Sequence, residues 1–234
     1  MTVLWLRLQA PFAAFRWLQA GVYRATSPVI PPSAAWGLVL NLAHIETRAH
    51  SEKHPVTGIR ADAPLLRIAV GACCESSRAV LYQQLHSYPV GSSGKELARR
   101  TYGAKYWIAP VRREILVDFD CQLGIRAADS QLLERVALGL TGQLGENRYG
   151  LPFAGDNSLL FSRIDILDEP VAARWYARLQ PDEEPRPGSC RLTVAIDRHN
   201  SAATSSPLFA PTEPQAEPPE SGWTWCPRDP DDRP

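Results

Sequence analysis

Two segments of this chain carry apolar residues at helical spacing, and segments with strand character stand before, between and after them. One helix is expected to begin at Ser33, a suitable N-cap, and to end near Ile45, and the other to begin after Asp129. The segments with strand character are 2–8, 65–70, 78–86, 112–120, 159–167 and 191–197. This order predicts an α+β fold with a ferredoxin-like or RRM-type core, an insertion and extra C-terminal strands.

Local patterns give the expected limits of several elements. Pro11 is expected to end the first strand, and the sequence GACCESS (71–77) to form a turn between two strands. In RREILVDFD (112–120), apolar Ile115 and Val117 alternate with Glu114 and Asp118. This alternation is typical of a strand with one buried face, and it predicts that Glu114 points outward.

Composition restricts the class of protein. No apolar run approaches the ~20 residues that a membrane helix needs, and the first residues lack the pattern of a signal peptide. Five cysteines, two of them adjacent, do not suit the disulfide framework of a secreted protein, so we expect a cytoplasmic protein without membrane partners. Arginines outnumber lysines 22 to 3, a weak indication of phosphate binding, because guanidinium groups bind phosphate in a bidentate manner.

The C-terminal residues differ from the rest of the chain. Residues 200–234 contain eight prolines and six acidic residues against two arginines, and few apolar residues stand close together. Such a segment is expected to be disordered, although Trp223 and Trp225 are candidates for docking. The predicted organisation is therefore a body over 1–199 and a disordered acidic tail over 200–234.

Patterns for metal binding and catalysis are weak. His44, His50 and His54 lack the spacing of a zinc site, so surface histidines are favoured over a metal site. The adjacent Cys73 and Cys74 fit buried filler better than a reactive thiol, because no activating charge stands near them in sequence. Three aspartates on strands suggest carboxylates that face solvent or meet arginines: Asp118, Asp120 and Asp165. No metal or cofactor is expected.

Two stretches are candidates for binding nucleic acid. In SSGKELARRTYGAKYW (92–107), basic and aromatic residues alternate, which suits phosphate contacts and base stacking, although a solvated hairpin has the same pattern. The candidates in this stretch are Lys95, Arg99, Arg100, Tyr102, Lys105, Tyr106 and Trp107. Five glycines lie between 139 and 155, where backbone N–H groups can approach a phosphate, with Arg148 among them.

Several motifs, in order, resemble one family: the fifth family of CRISPR-associated proteins, a subunit of the Cascade complex. They are LWLRLQAPFAAFR (4–16), SPVIPPSAAWGLVLNLAHIE (27–46) and the glycine-rich RYGLPFAGDNSLL (148–160). The resemblance spans residues 2 to about 170 and is closest to the myxobacterial and cyanobacterial branch of type I systems. It does not extend to 200–234.

The resemblance implies a cytoplasmic ribonucleoprotein subunit with an RRM-like body and an inserted thumb around 91–107 that grips the 5′ handle of the CRISPR RNA (crRNA). The implied partners are the Cascade backbone subunit, the large subunit and, through the complex, target DNA. Arg24 and Ser27 would lie on a proline-stiffened loop that faces the handle, and Ser33 would begin the helix behind it.

Two other functions remain open at this stage. One branch of the family cleaves repeat RNA with a tyrosine after the first helix and a later lysine–histidine pair. Here the helix ends in NLAHIE, and the pair Lys53–His54 comes too early, so a non-catalytic role is favoured over an endoribonuclease. The other alternative is a protein-interaction scaffold that binds its partner through the tryptophan-containing tail.

Overall fold

The computed structural model describes residues 2–17, 22–49, 58–89, 106–197 and 200–230, with 84–89, 106–109 and 201 as backbone only. The strands are β1 Val3–Ala13, β2 Tyr23–Arg24, β3 Arg48–Ala49, β4 Gly58–Ile59, β5 Leu66–Ala72, β6 Ser77–Pro89, β7 Tyr106–Ala127, β8 Arg163–Leu167, β9 Arg174–Arg178, β10 Cys190–Arg191, β11 Leu208–Pro211 and β12 Thr224–Cys226. The helices are α1 Pro32–Leu42 and α2 Ser130–Leu140. Neither is long and apolar enough to span a membrane.

A four-stranded antiparallel sheet forms the centre of the molecule, in the order β8–β1–β7–β5. Helix α1 follows β1 and α2 follows β7, so the chain order is β-α-β-β-α-β. This is the ferredoxin-like arrangement that the sequence predicts. The helices cover one face, where the core includes Leu6, Leu40, Leu123, Ile125 and Val136.

The start of the first helix differs from the prediction. Helix α1 begins at Pro32 after the N-cap residue Pro31, so Ser33 lies inside its first turn and does not cap it. Proline is favoured here because the first N–H groups of a helix have no intrahelical acceptor. Helix α2 is capped as predicted, since the Asp129 side chain accepts a hydrogen bond from the backbone N–H of Gln131 (2.9 Å).

The segment GACCESS does not form a chain reversal, contrary to the prediction. β5 and β6 follow one another along the same edge of β7, both antiparallel to it. Between them, residues 73–76 lie opposite 118–120, which makes a β-bulge, and Asp118 has a φ of 55°. The chain continues in one direction because the 22-residue strand β7 is long enough to pair with both.

Beyond the bulge, β6 and the first half of β7 form an antiparallel ribbon that leads toward the predicted thumb. Residues 90–105, which include most of it, lie outside the described residues. β1 also continues through Pro11 to Ala13. Because β8 begins opposite Gln9, at Arg163, Pro11 stands where β1 is paired on one side only, a position that tolerates a missing N–H.

The C-terminal segment belongs to the body, so the prediction of a disordered tail is wrong for residues 200–230. β12 pairs with the first half of β5, and β11 pairs with β9, which itself pairs with the second half of β5. The predicted strand 191–197 is reduced to Cys190–Arg191 in β10, next to β11. The C-terminal segment is ordered because it buries apolar side chains in the body: Phe209, Trp223 and Cys226. These residues are too far apart in sequence to form a recognisable pattern.

Candidate nucleic-acid interface

The face of the sheet opposite the helices is covered by the protein's own residues. RRM domains bind RNA on this face, through exposed aromatic residues on the central strands. Here Trp5 on β1 is buried, with its ring centroid 5.9 Å from that of Trp175 and 6.0 Å from that of Trp223. A Cβ added at Gly124 on β7 would lie 2.5 Å from Trp5 and 2.7 Å from Trp223. RNA therefore cannot stack on this part of the sheet.

Two arginines on the same face are also occupied. The Arg126 guanidinium lies 3.8 Å from the ring centroid of Trp223, a cation–π contact. The Glu220 carboxylate pairs with Arg67 at 2.6 Å and with Arg126 at 3.4 Å. These contacts attach the C-terminal segment to the sheet and engage both cations.

The root of the ribbon is three strands wide. β2 runs parallel to β7, with Tyr23 opposite Arg112 and Arg24 opposite Arg113, and β6 pairs with the other edge. The backbone N–H of Arg112 donates to the carbonyl of Val22 (2.6 Å). The loop between β1 and α1 thus adds a strand to the ribbon.

The buried carboxylate of Glu114 holds the loop between β1 and α1 in place. Glu114 accepts hydrogen bonds from the backbone N–H of Thr26 (2.9 Å), the Tyr23 hydroxyl (3.4 Å) and the Arg78 guanidinium (3.3 Å). Glu114 is therefore buried and not exposed to solvent as expected, because the loop packs against it and uses its carboxylate oxygens as acceptors. Arg113, the residue before Glu114 on β7, forms a 2.6 Å ion pair with Asp156 of the glycine-rich stretch.

The structure buries one residue that was predicted to contact RNA and shows an internal partner for another. Ser27 has 0% of its surface exposed, and its backbone N–H donates to the carbonyl of Phe15 (2.8 Å). The Arg148 guanidinium is half-buried and donates to the carbonyl of Gly139 (2.9 Å), at the end of α2. Ser27 is therefore too deeply enclosed to contact RNA, so that prediction is wrong. Arg148 binds a carbonyl in the last turn of α2 but stays partly accessible, and its contact with RNA remains a prediction.

Two other predicted residues remain accessible. Arg24 is half-buried in β2, and none of the described acidic residues forms an ion pair with it. Ser33 is partly exposed on α1, and its backbone N–H donates to the carbonyl of Thr193 (3.0 Å). The predicted thumb residues Lys95, Arg99, Arg100, Tyr102 and Lys105 lie outside the described residues, and Tyr106 and Trp107 begin β7 as backbone only.

A cleft of about 720 Å³ lies between α1 and the glycine-rich stretch. The exposed face of α1 contributes Ser33 and Gly37, and a Cβ added at Gly37 would meet nothing within 4 Å. The facing wall includes Tyr149 and Phe153. Arg48, at the rim, lies 5.2 Å from the ring centroid of Tyr149. Small residues on one wall and aromatic rings on the other leave room for a flat group.

Within the described residues, the surroundings of the Cys73 and Cys74 thiols raise their pKa, although the charge of Arg7 acts in the opposite direction. Burial is the main cause that raises the pKa of Cys73 to about 12, and it also raises the pKa of the exposed Cys74. Both therefore stay protonated near neutral pH, which does not suit a reactive thiol. The prediction of buried filler is wrong for Cys74, which is exposed, and Cys73 is only half-buried. Within the described residues, no group of histidine, cysteine and carboxylate side chains has a metal-binding arrangement. His44 lies 2.7 Å from the carbonyl of Glu146, while His50 and His54 are outside this part.

Two of the three strand aspartates form ion pairs, as expected. Asp120 pairs with Arg7 and Asp165 with Arg163, both at 2.6 Å. Asp118 is exposed at the bulge, where its carbonyl accepts from Ser76 (3.5 Å).

Sequence reasoning missed the exposed residues at the root of the ribbon, Tyr23, Tyr82 and Arg112. Tyr82 lies in a segment that was correctly expected to be a strand, but no pattern shows which residues stand opposite it. Its position beside Arg112 follows only from the pairing of β6 with β7.

Comparison with known proteins places the fold. No protein-family model matches the sequence, and no match was found among curated proteins. A chain of a solved structure described as a CRISPR RNA-guided surveillance complex is similar over 91% of both chains, with a TM-score of 0.53 and 13% identity. A second, described as the crystal structure of a Cas protein, covers 90% of this chain and 93% of its own, with a TM-score of 0.48 and 14% identity. At 13% identity, the likeness to the first structure is one of fold.

Proposed function

We propose that this chain is a non-catalytic RNA-binding subunit of a type I CRISPR Cascade complex, which caps the 5′ handle of the crRNA. The observation that carries the proposal is the fold shared with a chain of a CRISPR RNA-guided surveillance complex over nine-tenths of both chains. It agrees with the resemblance of 4–16, 27–46 and 148–160 to the fifth family of CRISPR-associated proteins.

The distribution of accessible groups supports an RNA-binding surface away from the central sheet. The three indoles of Trp5, Trp175 and Trp223 occupy the sheet face. Exposed aromatic and basic residues stand instead at the root of the ribbon, and aromatic residues line the cleft beside α1. We therefore place the RNA along the ribbon and the cleft, with the thumb tip as a further contact.

In this proposal the subunit contributes binding and not chemistry. The backbone subunit would continue from it along the crRNA, the large subunit would lie beside it, and target DNA would be reached through the complex. Cleavage of repeat RNA is the alternative outcome of the test below.

The first experiment incubates the full-length chain with labelled repeat RNA, with and without divalent metal, and measures both binding and RNA length. We expect salt-dependent binding and intact RNA. Specific cleavage that is lost in His54→Ala would favour the endoribonuclease, and absence of binding both by the chain and by the assembled complex would favour the protein scaffold.

The second experiment locates the thumb contact by salt titration of crRNA binding. Arg99→Ala/Arg100→Ala should weaken binding and flatten the salt dependence, by about 0.7 in log–log slope for each single-strand phosphate that is no longer neutralised. Trp107→Ala should weaken binding with little change in slope, because stacking releases no counterions. Circular dichroism checks that both variants are folded. An unchanged slope in the double variant would remove the thumb arginines from the interface.

A further inference from the structure

Three side chains form a row across the root of the ribbon. Arg112 on β7 stands between its register partners Tyr23 on β2 and Tyr82 on β6. Register partners in neighbouring strands place their side chains on the same face of a sheet, and neighbouring strands are about 4.8 Å apart. We call these three residues the tyrosine–arginine row.

A neighbouring contact confirms that the row lies on one face. Glu114, two residues beyond Arg112 on β7, accepts from the Tyr23 hydroxyl and from Arg78, which is four residues before Tyr82 on β6. Residues at even spacing in a strand share a face, so all five side chains lie on the same side of the ribbon.

The row is exposed and carries positive charge. Tyr23 is 46% exposed, Tyr82 is 68% exposed, and Arg112 between them is also exposed. No carboxylate of the described residues forms an ion pair with Arg112. The nearby Glu114 is buried and already pairs with Arg78, so among the described residues no carboxylate balances the charge of Arg112.

We infer that the tyrosine–arginine row binds an unpaired RNA nucleotide, with the base stacked on a tyrosine ring and the phosphate on the Arg112 guanidinium. The inference rests on the proposed function and adds to it a subsite that is separate from the thumb tip. Aromatic rings stack on any base, and guanidinium groups pair with phosphate oxygens through two parallel hydrogen bonds. The subsite therefore holds the strand without selecting a base.

Part of the row is held in position before RNA binds. The Tyr23 hydroxyl donates to Glu114, the backbone of β2 is fixed by the 2.6 Å hydrogen bond from Arg112 to Val22, and Thr26 donates to Glu114 at 2.9 Å. A residue that is already ordered loses little conformational freedom on binding. We expect the Tyr23 ring to keep its position when RNA binds, and the more exposed Tyr82 ring to be the one that stacks on the base.

The test measures binding of a labelled single-stranded repeat RNA to the full-length chain by fluorescence anisotropy over a range of salt concentrations. Arg112→Ala should weaken binding and reduce the log–log salt slope by about 0.7, the value for one phosphate of a single strand. Tyr82→Ala should weaken binding roughly 5- to 150-fold, the range for loss of one stacked base, with an unchanged slope. Tyr82→Phe keeps the ring and should bind like the wild type.

Leu81→Ala is the matched control. Leu81 is 41% exposed and adjacent to Tyr82, but it points to the opposite face, because its register partner is Arg113. Its removal should leave both affinity and slope unchanged. If Leu81→Ala weakens binding as much as Tyr82→Ala, the effect comes from distortion of the ribbon, and the inference is overturned.

The outcomes separate this inference from the proposed function. If the wild-type chain binds no RNA, alone or with the other subunits, both are overturned. If the wild type binds and the Arg112 and Tyr82 variants bind equally well, only the tyrosine–arginine row is overturned. If these variants bind RNA normally but no longer assemble with other subunits, the row is a protein interface and the inference is again overturned.

Discussion

Replacing Trp223 by alanine tests whether the C-terminal segment is part of the folded body. Trp223 is 6% exposed and packs on Trp5, with ring centroids 6.0 Å apart. It also covers Gly124, and the Arg126 guanidinium lies 3.8 Å from its ring centroid. Trp223→Ala therefore removes a large buried side chain and leaves a cavity over the sheet.

The expected loss of unfolding free energy is about 3–5 kcal/mol, the usual range for truncating a core tryptophan. The cation–π contact with Arg126 contributes on the order of 1 kcal/mol of this range, since that side chain is partly exposed. The pairs that Glu220 makes survive the substitution, and the glutamate is largely exposed, so they contribute little. Against a total stability of about 5–15 kcal/mol, the variant should be marginally stable.

The assay is equilibrium unfolding in urea followed by far-ultraviolet circular dichroism, which does not depend on tryptophan fluorescence. Trp225→Ala is the control, because Trp225 is only partly buried and its cation–π partner Arg67 is 5.9 Å from the ring centroid. Its cost should be clearly smaller. Equal effects, or a loss below about 1 kcal/mol for Trp223→Ala, would refute the packing of this segment.

Truncation at Asn200 has a different expected result from the one that composition indicates. A disordered tail would be dispensable for RNA binding, but the truncation removes β11, β12 and Trp223. The truncated chain should therefore lose its cooperative unfolding transition. RNA binding by the truncated chain would then report on folding and not on contacts made by the tail.

Two further predictions concern the sheet. Gly124→Ala should lower the free energy of unfolding in urea by about 1–3 kcal/mol, because the new methyl group would lie 2.5 Å from Trp5. Gly37→Ala should raise this free energy by about 0.5–1 kcal/mol, because Gly37 lies in a helix and a methyl group there meets no other atom within 4 Å. For Asp120, burial raises the pKa, but hydrogen bonds from Arg7 and Gln9 outweigh it and hold the pKa below its usual value. Its contribution is therefore present above about pH 4 and is lost as the pH falls, so Asp120→Asn should reduce stability at neutral pH and flatten the decline in acid, as measured by urea unfolding against pH.

The core elements could be predicted because their signals are local. Apolar spacing identifies both helices, and Asp129 is recognisable as a cap from its side chain alone. The alternation around Ile115 identifies the middle strand but not its length, since β7 extends for 22 residues. The order of strands and helices then restricts the topology to a few possibilities, of which the ferredoxin-like fold is one.

Pairing between distant residues could not be predicted. Tyr23 and Arg112 are far apart in sequence, and nothing in either segment indicates the other. The same reason explains Ser27, whose polar side chain and proline neighbours are typical of an exposed loop. It is buried because its backbone pairs with Phe15, a long-range contact that local composition does not reveal.

The C-terminal segment shows where composition misleads. Prolines exclude long helices and central strands, but they do not prevent a chain from crossing a surface and inserting single side chains into it. Phe209 and Trp223 are buried in this way, with no periodic spacing between them. A rule based on the density of apolar residues counts them as too few, whereas stability depends on how completely each one is enclosed.

The neutral net charge is compatible with RNA binding because many of the arginines form ion pairs with carboxylates of the same chain. Arg7, Arg67, Arg113, Arg126, Arg135 and Arg163 all pair with carboxylates of the same chain. Ion pairs within the chain contribute nothing to the net charge, and they also make those arginines unavailable to a binding partner. Arg112, for which the described residues supply no carboxylate, stands between two exposed tyrosines at the root of the ribbon. The charge of Arg112 together with the two exposed tyrosines therefore makes this row a candidate RNA-binding surface in a chain whose total charge is zero.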